Sequence, residues 1–599
     1  MPTQPLSIDQ GVFTETTDRD GKGRWKDANR VRFHYDYPEK LGGWSALAES
    51  DVVPGACRET RQWLSLDDTI YIAYGTDTGL YIQKPNDADK SFHDITPADV
   101  RALTLGTLTD PFTTTSGSNV VTVTWVGHGL LVGGSAKFKG ALECNGVPGS
   151  LLNQTHTILT VPDVNSFTLQ VAVEASASGT GGGAVYPVYG LGYGTAAYNK
   201  GAWGRGINPS LTPRPVGAVP DNGGWSLAVW GENLIANTPG GKIYVWSPTT
   251  DGVGAPATQI PNSPEKVGFV VVSSEDEHLI ALGCEPFGST DHDPLLVRWA
   301  DQGNYEDWQP TAVNTAGSIP LQEGNRIISG KVVGANVIIA TDTHGYRMFP
   351  TGPPLTYGMT ALGASEIASR NSLQDYRGVA YWMGLRNFYM YDGSLKVFDC
   401  AVWSRVFENL NYSMSHKIFS GVNRAFDEVW WFYPSANSSE VDRYVLFDAI
   451  KGTWSLGEMD RTAWDGEDTA FNRPYAVTKD GTVYIHELGN DAGGAPMGEF
   501  LESYDLDIST PGQDEVLRVN GVVPDFEKLE GSVRMTFSGK KRPHGGTTSK
   551  PPFTVTAKTQ RYSTRLRARQ ISLRIEGLGS NGFWRMGPIQ IDGHRDGRR

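Results

Sequence analysis

The densest group of side chains with catalytic potential is the pentapeptide Ser289-Thr290-Asp291-His292-Asp293, in which two carboxylates flank an imidazole. Such a group can hold a divalent cation or exchange protons with a substrate. No second ligand set accompanies it at a diagnostic spacing, and Asp and His are common in polar loops. The sequence therefore favours an ordinary loop between strands.

A second candidate is the stretch from Asp448 to Trp454, DAIKGTW, which resembles one copy of the turn that sialic-acid-cleaving propellers repeat. Only this copy is visible, and the clustered arginines and tyrosine nucleophile of such a glycosidase site are missing from the sequence. The turn is therefore predicted to close a blade. The glycine-rich run from Ser178 to Gly183 is not followed by Gly-Lys-Ser/Thr and is predicted to be a linker. We expect no enzymatic activity, catalytic residue, metal site or cofactor.

Charge is distributed unevenly along the chain. The formal net charge of -14 argues against a protein whose whole surface grips nucleic acid. Residues 534–599 nevertheless contain 15 Lys and Arg against 3 Asp and Glu. Six basic side chains here are the candidate contact residues. They are Lys540, Lys541 and Arg542 in a predicted loop, and Arg565, Arg567 and Arg569, which alternate along a predicted strand and should share one face.

These basic residues have two candidate partners. One is the phosphate backbone of DNA, and the other is an acidic surface of a neighbouring subunit or adaptor. We favour protein docking, because a conduit that gripped phosphates through many arginines would hold DNA by counterion release and would not let it pass. The acidic remainder of the chain would then repel DNA.

The elements that position these groups are short strands. With 71 Gly, 17 Trp and 24 Tyr, the composition is typical of an all-β protein rich in turns and aromatic strands. The stretch from Asp427 to Gly457 predicts three antiparallel strands, and similar patterns recur at intervals of roughly 40 to 55 residues. A single meander cannot bury both of its faces, so its copies predict a β-propeller of six or seven blades.

Composition divides the chain into five segments. Residues 1–60 are predicted to be an extended N-terminal arm laid across another surface, and 61–100 the first blade. Residues 101–186, rich in small and β-branched side chains, are predicted to be an Ig-like β-sandwich inserted into a loop of that blade. Residues 187–490 supply the other blades, and 491–599 a separate basic β-sandwich. Ala401 to Asn411 is the one plausible helix.

Short motifs resemble a tail protein family of short-tailed bacteriophages. They are Asn29-Arg30-Val31-Arg32-Phe33, the segment Pro38 to Trp44 (PEKLGGW), and Arg298-Trp299-Ala300-Asp301 followed by Trp308. The family includes tail nozzle, tail-tube-end (tail tubular B-like) and packaged-DNA-stabilisation proteins. The resemblance implies a structural virion protein at the distal tail, assembled in the host cytoplasm as a hexameric ring. Such a ring retains packaged DNA, conducts double-stranded DNA during ejection, and contacts an adaptor above and fibres or a needle beside it.

Other features restrict the alternatives. The four cysteines have no paired spacing, and we expect free, buried thiols. The sequence lacks a secretory signal pattern and a long apolar run, so we expect no membrane-spanning segment. Two other functions remain open: a propeller that depolymerises surface polysaccharide, and a receptor- or polysaccharide-binding tail propeller. Paired carboxylates in a cleft would favour the first, and an exposed aromatic platform the second.

Overall fold

A computed structural model of the chain describes residues 3–17, 20–21, 23–47, 51–87, 90–100, 108–125, 128, 132–133, 135–163, 165–188, 224–352, 355–466, 473–507, 516–542 and 545–597. Strands dominate these residues, as the composition predicts. The described helices are short: the α-helices Gly149–Leu152 and Trp403–Phe407, and the 3₁₀ helices Tyr412–Lys417 and Arg424–Phe426. None of the described helices is long and apolar enough to cross a membrane.

The described strands include seven four-stranded antiparallel sheets, which we name blades 1 to 7. Their innermost strands lie side by side in a closed circle, in which blade 7 returns to blade 1. The fold is therefore a β-propeller, and its blade count of seven lies within the predicted range. The strands, from the innermost outward, are Cys57–Leu64, Ile70–Thr76, Leu80–Gln83 and His93–Asp94 in blade 1; Ser226–Trp230, Asn233–Asn237, Ile243–Trp246 and Thr258–Gln259 in blade 2; Phe269–Ser273, His278–Cys284, Asp293–Trp299 and Gly317–Pro320 in blade 3; Ile327–Val333, Asn336–Thr341, His344–Pro350 and Tyr357–Ala364 in blade 4; Leu373–Tyr376, Val379–Met383, Phe388–Tyr391 and Leu395–Phe398 in blade 5; Phe419–Asn423, Glu428–Tyr433, Arg443–Asp448 and Thr453–Glu458 in blade 6; and Ala463–Asp465, Tyr475–Val477, Val483–His486 and Trp44–Ala46 in blade 7.

Apolar packing between neighbouring blades explains why aromatic runs form these strands. Each adjacent pair of blades shares one buried cluster, so a strand buries both of its faces. In blade 6, Trp430 and Phe432 face blade 7, whereas Trp431 and Tyr433 face blade 5. The alternation of side chains along a strand thus converts a continuous apolar run into two interfaces.

The N-terminal segment is integrated into the rest of the chain and does not form the predicted extended arm. Trp44–Ala46 is the outermost strand of blade 7, where it pairs with Val483–His486. Trp25–Asn29 pairs with Phe500–Ser503 in a sheet of the C-terminal unit. Strand pairing satisfies the backbone groups of this segment within the same chain, which explains why an irregular, charged sequence is ordered here.

The C-terminal unit has two sheets and includes N-terminal strands, so it is not separate from residues 1–60. The inner sheet has nine strands: Trp25–Asn29, Val31–His34, Tyr37–Lys40, Phe500–Ser503, Leu506–Asp507, Phe526–Lys540, Thr548–Ser549, Phe553–Thr556 and Gln570–Met586. The outer sheet has four: Thr3–Pro5, Leu517–Val523, Tyr562–Ala568 and Gln590–Arg595. The inner sheet contacts the outermost strand of blade 6, and one core runs from blades 5 and 6 into both sheets.

The inserted unit follows the last strand of blade 1 and precedes blade 2, so it separates two blades and does not interrupt one. Its eight strands are Leu108–Thr109, Phe112–Thr114, Val120–Thr124, Ser135–Lys139, Thr155–Asp163, Ser166–Gln170, Gly179–Gly181 and Ala184–Val188. They form one antiparallel path with its own core. Phe112 and Phe138 lie on distant strands of this path, yet their ring centroids are 5.3 Å apart, because the sheet curls round the core.

Candidate functional site

The six basic residues singled out from the sequence lie at one end of the C-terminal unit. Lys540 ends its strand, and its Nζ is 2.6 Å from Asp505 Oδ2. Lys541 and Arg542 follow it in an exposed turn. The backbone N–H of Arg569 donates to the carbonyl of Lys540, with an N to O distance of 2.9 Å. Strand pairing therefore brings the two predicted groups together.

Arg565 and Arg567 are exposed on the solvent side of Tyr562–Ala568, whereas Leu566 and Ala568 point into the core. Arg569 continues the alternation in a half-buried position. Arg565 and Arg567 share an exposed face, as their spacing predicts. Asp596 pairs with Arg567, at a distance of 2.8 Å from Nε to Oδ2. The face therefore carries cationic groups that are partly held in place by carboxylates.

Arg518 belongs to the same surface but was not singled out from the sequence. It is exposed on Leu517–Val523, directly opposite Arg567 on one side and His594 on the other. Like charges directly opposite each other weaken a sheet. We name the exposed side of Arg518, Arg561, Arg565 and Arg567 the basic sheet face. A surface that keeps a destabilising arginine pair is suited to an anionic partner, because guanidinium groups bind carboxylates and phosphates through two parallel hydrogen bonds.

The order of layers directs the basic sheet face away from the propeller. Ser455 Oγ in the outermost strand of blade 6 donates to the carbonyl of Val31 in the inner sheet, at 2.6 Å. The outer sheet lies beyond the inner one and shares its core through residues such as Val519 and Leu566. From the propeller outward, the layers are therefore blade 6, the inner sheet and the outer sheet, which faces solvent.

Two of the motifs that carry the phage resemblance, Asn29 to Phe33 and Pro38 to Trp44, form buried joints. The Arg32 guanidinium donates to Glu428 of blade 6, from Nε to Oε1 at 2.8 Å, and to Glu487 after blade 7, from Nη1 to Oε2 at 3.1 Å. Lys40 Nζ lies 3.1 Å from Glu499 Oε1 and donates to the carbonyl of Gly582 at 2.7 Å. These contacts tie two blades to the C-terminal unit.

Burial sets the protonation behaviour of this joint. Burial is the largest influence on the Glu428 carboxyl and raises its pKa, although the neighbouring Arg32 charge opposes the shift. The pKa of Arg32 is raised because the charges of Glu428 and Glu487 outweigh desolvation. The joint therefore retains its guanidinium charge at neutral pH.

The channel of the propeller holds a second cluster of charged groups, which sequence reasoning did not find. Glu59 Oε2 accepts a hydrogen bond from Asn371 Nδ2 at 2.5 Å. Burial raises the pKa of Glu59 to about 7, although Lys331, Arg370 and Arg61 oppose the shift. A cavity of about 370 Å³ opens beside it. This arrangement can hold water or a polar ligand and can exchange a proton near neutral pH. No local sequence pattern signals this cluster, because its members come from distant parts of the chain.

The remaining chemical candidates are held by local hydrogen bonds. His292 Nε2 lies 3.1 Å from the carbonyl oxygen of Gly283, and Asp293 Oδ1 accepts from the backbone N–H of Leu295 at 2.9 Å. Within the described ranges, no three His, Cys, Asp or Glu side chains converge as metal ligands would. This segment is the loop between the second and third strands of blade 3.

The turn after Asp448 closes blade 6. Asp448 Oδ1 accepts the backbone N–H groups of Ile450 and Lys451, at 2.9 and 2.8 Å. Trp454 is buried, and its indole N–H donates to the carbonyl of Asp399 at 3.1 Å. The aspartate thus orders the turn and the tryptophan seals the blade. The four cysteines, Cys57, Cys144, Cys284 and Cys400, are free and buried.

Comparison with known proteins adds little to this geometry. No protein-family model matches the chain, and no curated protein matches it. Among solved structures, the chain is similar to "KlHsv2 with loop 6CD replaced by a Gly-Ser linker", with 9% identity, a TM-score of 0.28, and coverage of 55% of this chain and 97% of that one. It is also similar to the "AfRom2 CNH domain", with 10% identity, a TM-score of 0.26, and coverage of 46% and 89%. Similarity at this level carries no functional argument.

Proposed function

We propose that this chain is a structural protein of a short-tailed bacteriophage tail and forms the distal nozzle as a hexameric ring. The ring retains packaged DNA and conducts it during ejection. The observation that carries the proposal is the position of the residues on which the phage resemblance rests. Arg32 and Trp44 join the N-terminal strands to blades 6 and 7, and Lys40 joins them to the C-terminal strands, so these two motifs serve architecture.

A continuous core is consistent with this role. A protein that closes a pressurised DNA channel must transmit force between its parts without a loose hinge. Here one apolar cluster extends from Phe388 of blade 5 through Trp431 of blade 6 to Trp584 and Leu566 of the two C-terminal sheets. A large shared apolar interface opposes relative motion of domains.

The distribution of charge also supports passage of DNA without tight binding. Residues 1–533 contain 37 Lys and Arg against 63 Asp and Glu, a formal charge of -26, whereas residues 534–599 carry +12. The net negative charge of residues 1–533 repels phosphates. In the proposed nozzle, the basic residues contact neighbouring proteins, including an adaptor on the portal side and fibres or a needle.

The experiment that tests this proposal is purification of the full-length chain followed by light scattering, negative-stain imaging and immunogold labelling of virions. We expect six-fold rings and label at the distal end of the tail. Virions assembled without the protein should package DNA and then lose it. A chain that stays monomeric with its tail partners, or label confined to fibre tips together with binding of surface polysaccharide, would contradict the nozzle and favour a receptor-binding propeller.

A further inference from the structure

One side of the propeller concentrates acidic residues in its turns. In each blade, the turn between the first and second strands and the turn between the third and fourth lie on the same face. In blades 1 to 3 the described residues of these six turns include eleven Asp or Glu and two Lys. The six most exposed of the acidic residues are Asp67, Asp68, Asp87, Glu275, Glu277 and Glu306. We name this surface the acidic turn face.

The described turns of blades 4 to 6 on the same face lack this excess of acidic residues. The corresponding described turns of blades 4 to 6 carry three basic and two acidic residues. The basic ones are Arg377, Arg424 and Lys451, and the acidic ones are Asp392 and Asp427. A general requirement for solubility would spread carboxylates over all blades. The concentration of carboxylates in the described turns of three consecutive blades indicates a surface with a particular partner.

The two charged surfaces belong to opposite positions around the ring of blades. The outer sheet, which carries the basic sheet face, extends outward from blade 6. In a closed ring of seven blades, the position opposite blade 6 falls between blades 2 and 3, which is within the acidic turn face. A molecule with complementary patches on opposite sides can associate head to tail, and such contacts close into a ring when the rotation between copies completes a circle.

We infer that the basic sheet face of one copy docks on the acidic turn face of the next copy of this chain. This inference rests on the proposed ring and assigns its subunit interface. Arg518 and Arg565 form no ion pair with the described part of their own chain, and their guanidinium groups match carboxylates in geometry. Double-stranded DNA is a poorer occupant, because each copy also presents eleven carboxylates in the turns of blades 1 to 3.

Charge reversal on each face tests the inference. One full-length variant carries Arg565→Glu and Arg567→Glu, and a second carries Glu275→Lys, Glu277→Lys and Glu306→Lys. Each variant alone should weaken self-association about 100-fold, because like charges then meet across the interface. Association of the wild type should also weaken when salt rises from about 0.05 M to about 0.5 M. Mass photometry and light scattering measure both effects.

An equimolar mixture of the two variants distinguishes docking from misfolding. Each reversed face then meets a complementary face on the other variant, so alternating assemblies should form although neither variant assembles alone. The matched control reverses two exposed residues on the opposite propeller face, Arg386→Glu with Lys479→Glu, and should assemble like the wild type. Thermal unfolding of every variant confirms that the fold is retained.

Several results would overturn the inference. They are a wild type that stays monomeric at low salt, reversed variants that assemble normally, or a mixture that fails to assemble while the wild type does. A monomeric wild type that binds duplex DNA, with binding lost on reversal of Arg565 and Arg567, would assign the basic sheet face to nucleic acid. Normal six-fold rings from every variant would refute this interface and leave the nozzle intact. Salt-sensitive rings that never join a phage tail would refute the nozzle and leave the interface intact.

Discussion

Replacing Lys40 by Met should destabilise the joint between the hairpin of residues 31–40 and the C-terminal strands of the inner sheet. The Lys40 side chain has 0% exposure and its partner Glu499 has 3%. The ammonium contacts the Glu499 carboxylate at 3.1 Å and donates to the carbonyl of Gly582 at 2.7 Å. Methionine preserves most of the apolar stem but leaves the carboxylate buried without its cation. Removing one partner of such a pair costs about 4 kcal/mol.

Hydrogen exchange measured by mass spectrometry in increasing urea is the suitable assay, because a chain of several units does not unfold in two states. Peptides that cover residues 25–40 and 570–586 should lose about 4 kcal/mol of opening free energy. The double variant Lys40→Met with Glu499→Leu should recover most of it, because an apolar pair of similar volume often replaces a buried ion pair without loss.

Lys528→Met is the matched control. Lys528 lies in the same sheet, with its Nζ 3.0 Å from Glu530 Oε1, but the two side chains are 56% and 48% exposed. Exposed pairs contribute below about 1 kcal/mol. If Lys40→Met costs no more than this control, or if the double variant is as unstable as the single one, the argument from the buried charge fails.

Three further predictions concern the propeller. Between pH 4.5 and 7 the folded chain keeps on Glu59 a proton that the unfolded chain releases, because burial raises the pKa to about 7. Stability should therefore fall as pH rises through this window. Glu59→Gln should remove this contribution and raise the Tm at pH 8 but not at pH 4. A variant whose Tm depends on pH as steeply as that of the wild type would contradict the prediction. Trp454→Ala should cost about 4 kcal/mol of opening free energy in blade 6, measured by hydrogen exchange, because the ring is buried, whereas Trp403→Ala, at an exposed site, should cost far less. Gly421→Ala would bring a methyl carbon within 2.1 Å of an indole of blade 7 and should cost about 2 kcal/mol; an equal loss for Gly546→Ala, which has open space, would refute the steric explanation.

Local patterns predicted the blades well. Alternating apolar residues and the turn markers Asp392-Gly393 and Asp480-Gly481 predict hairpins, because strand periodicity and positive φ at the glycine depend on adjacent residues. The same alternation predicted that Arg565 and Arg567 share a face. The stretch from Asp427 to Gly457 has three strands, as expected, and the structure adds Phe419–Asn423 as the innermost strand of that blade.

Pairings between distant parts of the chain could not be predicted from local patterns. Trp44–Ala46 completes blade 7 by pairing with a strand more than 400 residues later, and nothing in three residues specifies such a partner. The prediction of an extended N-terminal arm was wrong because this segment too depends on pairings with distant strands. Arg518 is likewise an ordinary exposed strand residue until strand register sets it opposite Arg567.

The acidic turn face shows most clearly what only topology provides. Its carboxylates come from six turns between residues 65 and 316, interrupted by the inserted unit, and no short window of sequence holds more than a few of them. Because the blades follow one another round a circle, the turns of blades 1 to 3 lie on one side of the ring. The C-terminal arginines lie on the outer sheet, beyond blade 6. A net charge of -14 conceals this opposition, because it sums two surfaces of opposite sign. Charge therefore predicts a partner for this chain only after the fold has assigned each residue to a side.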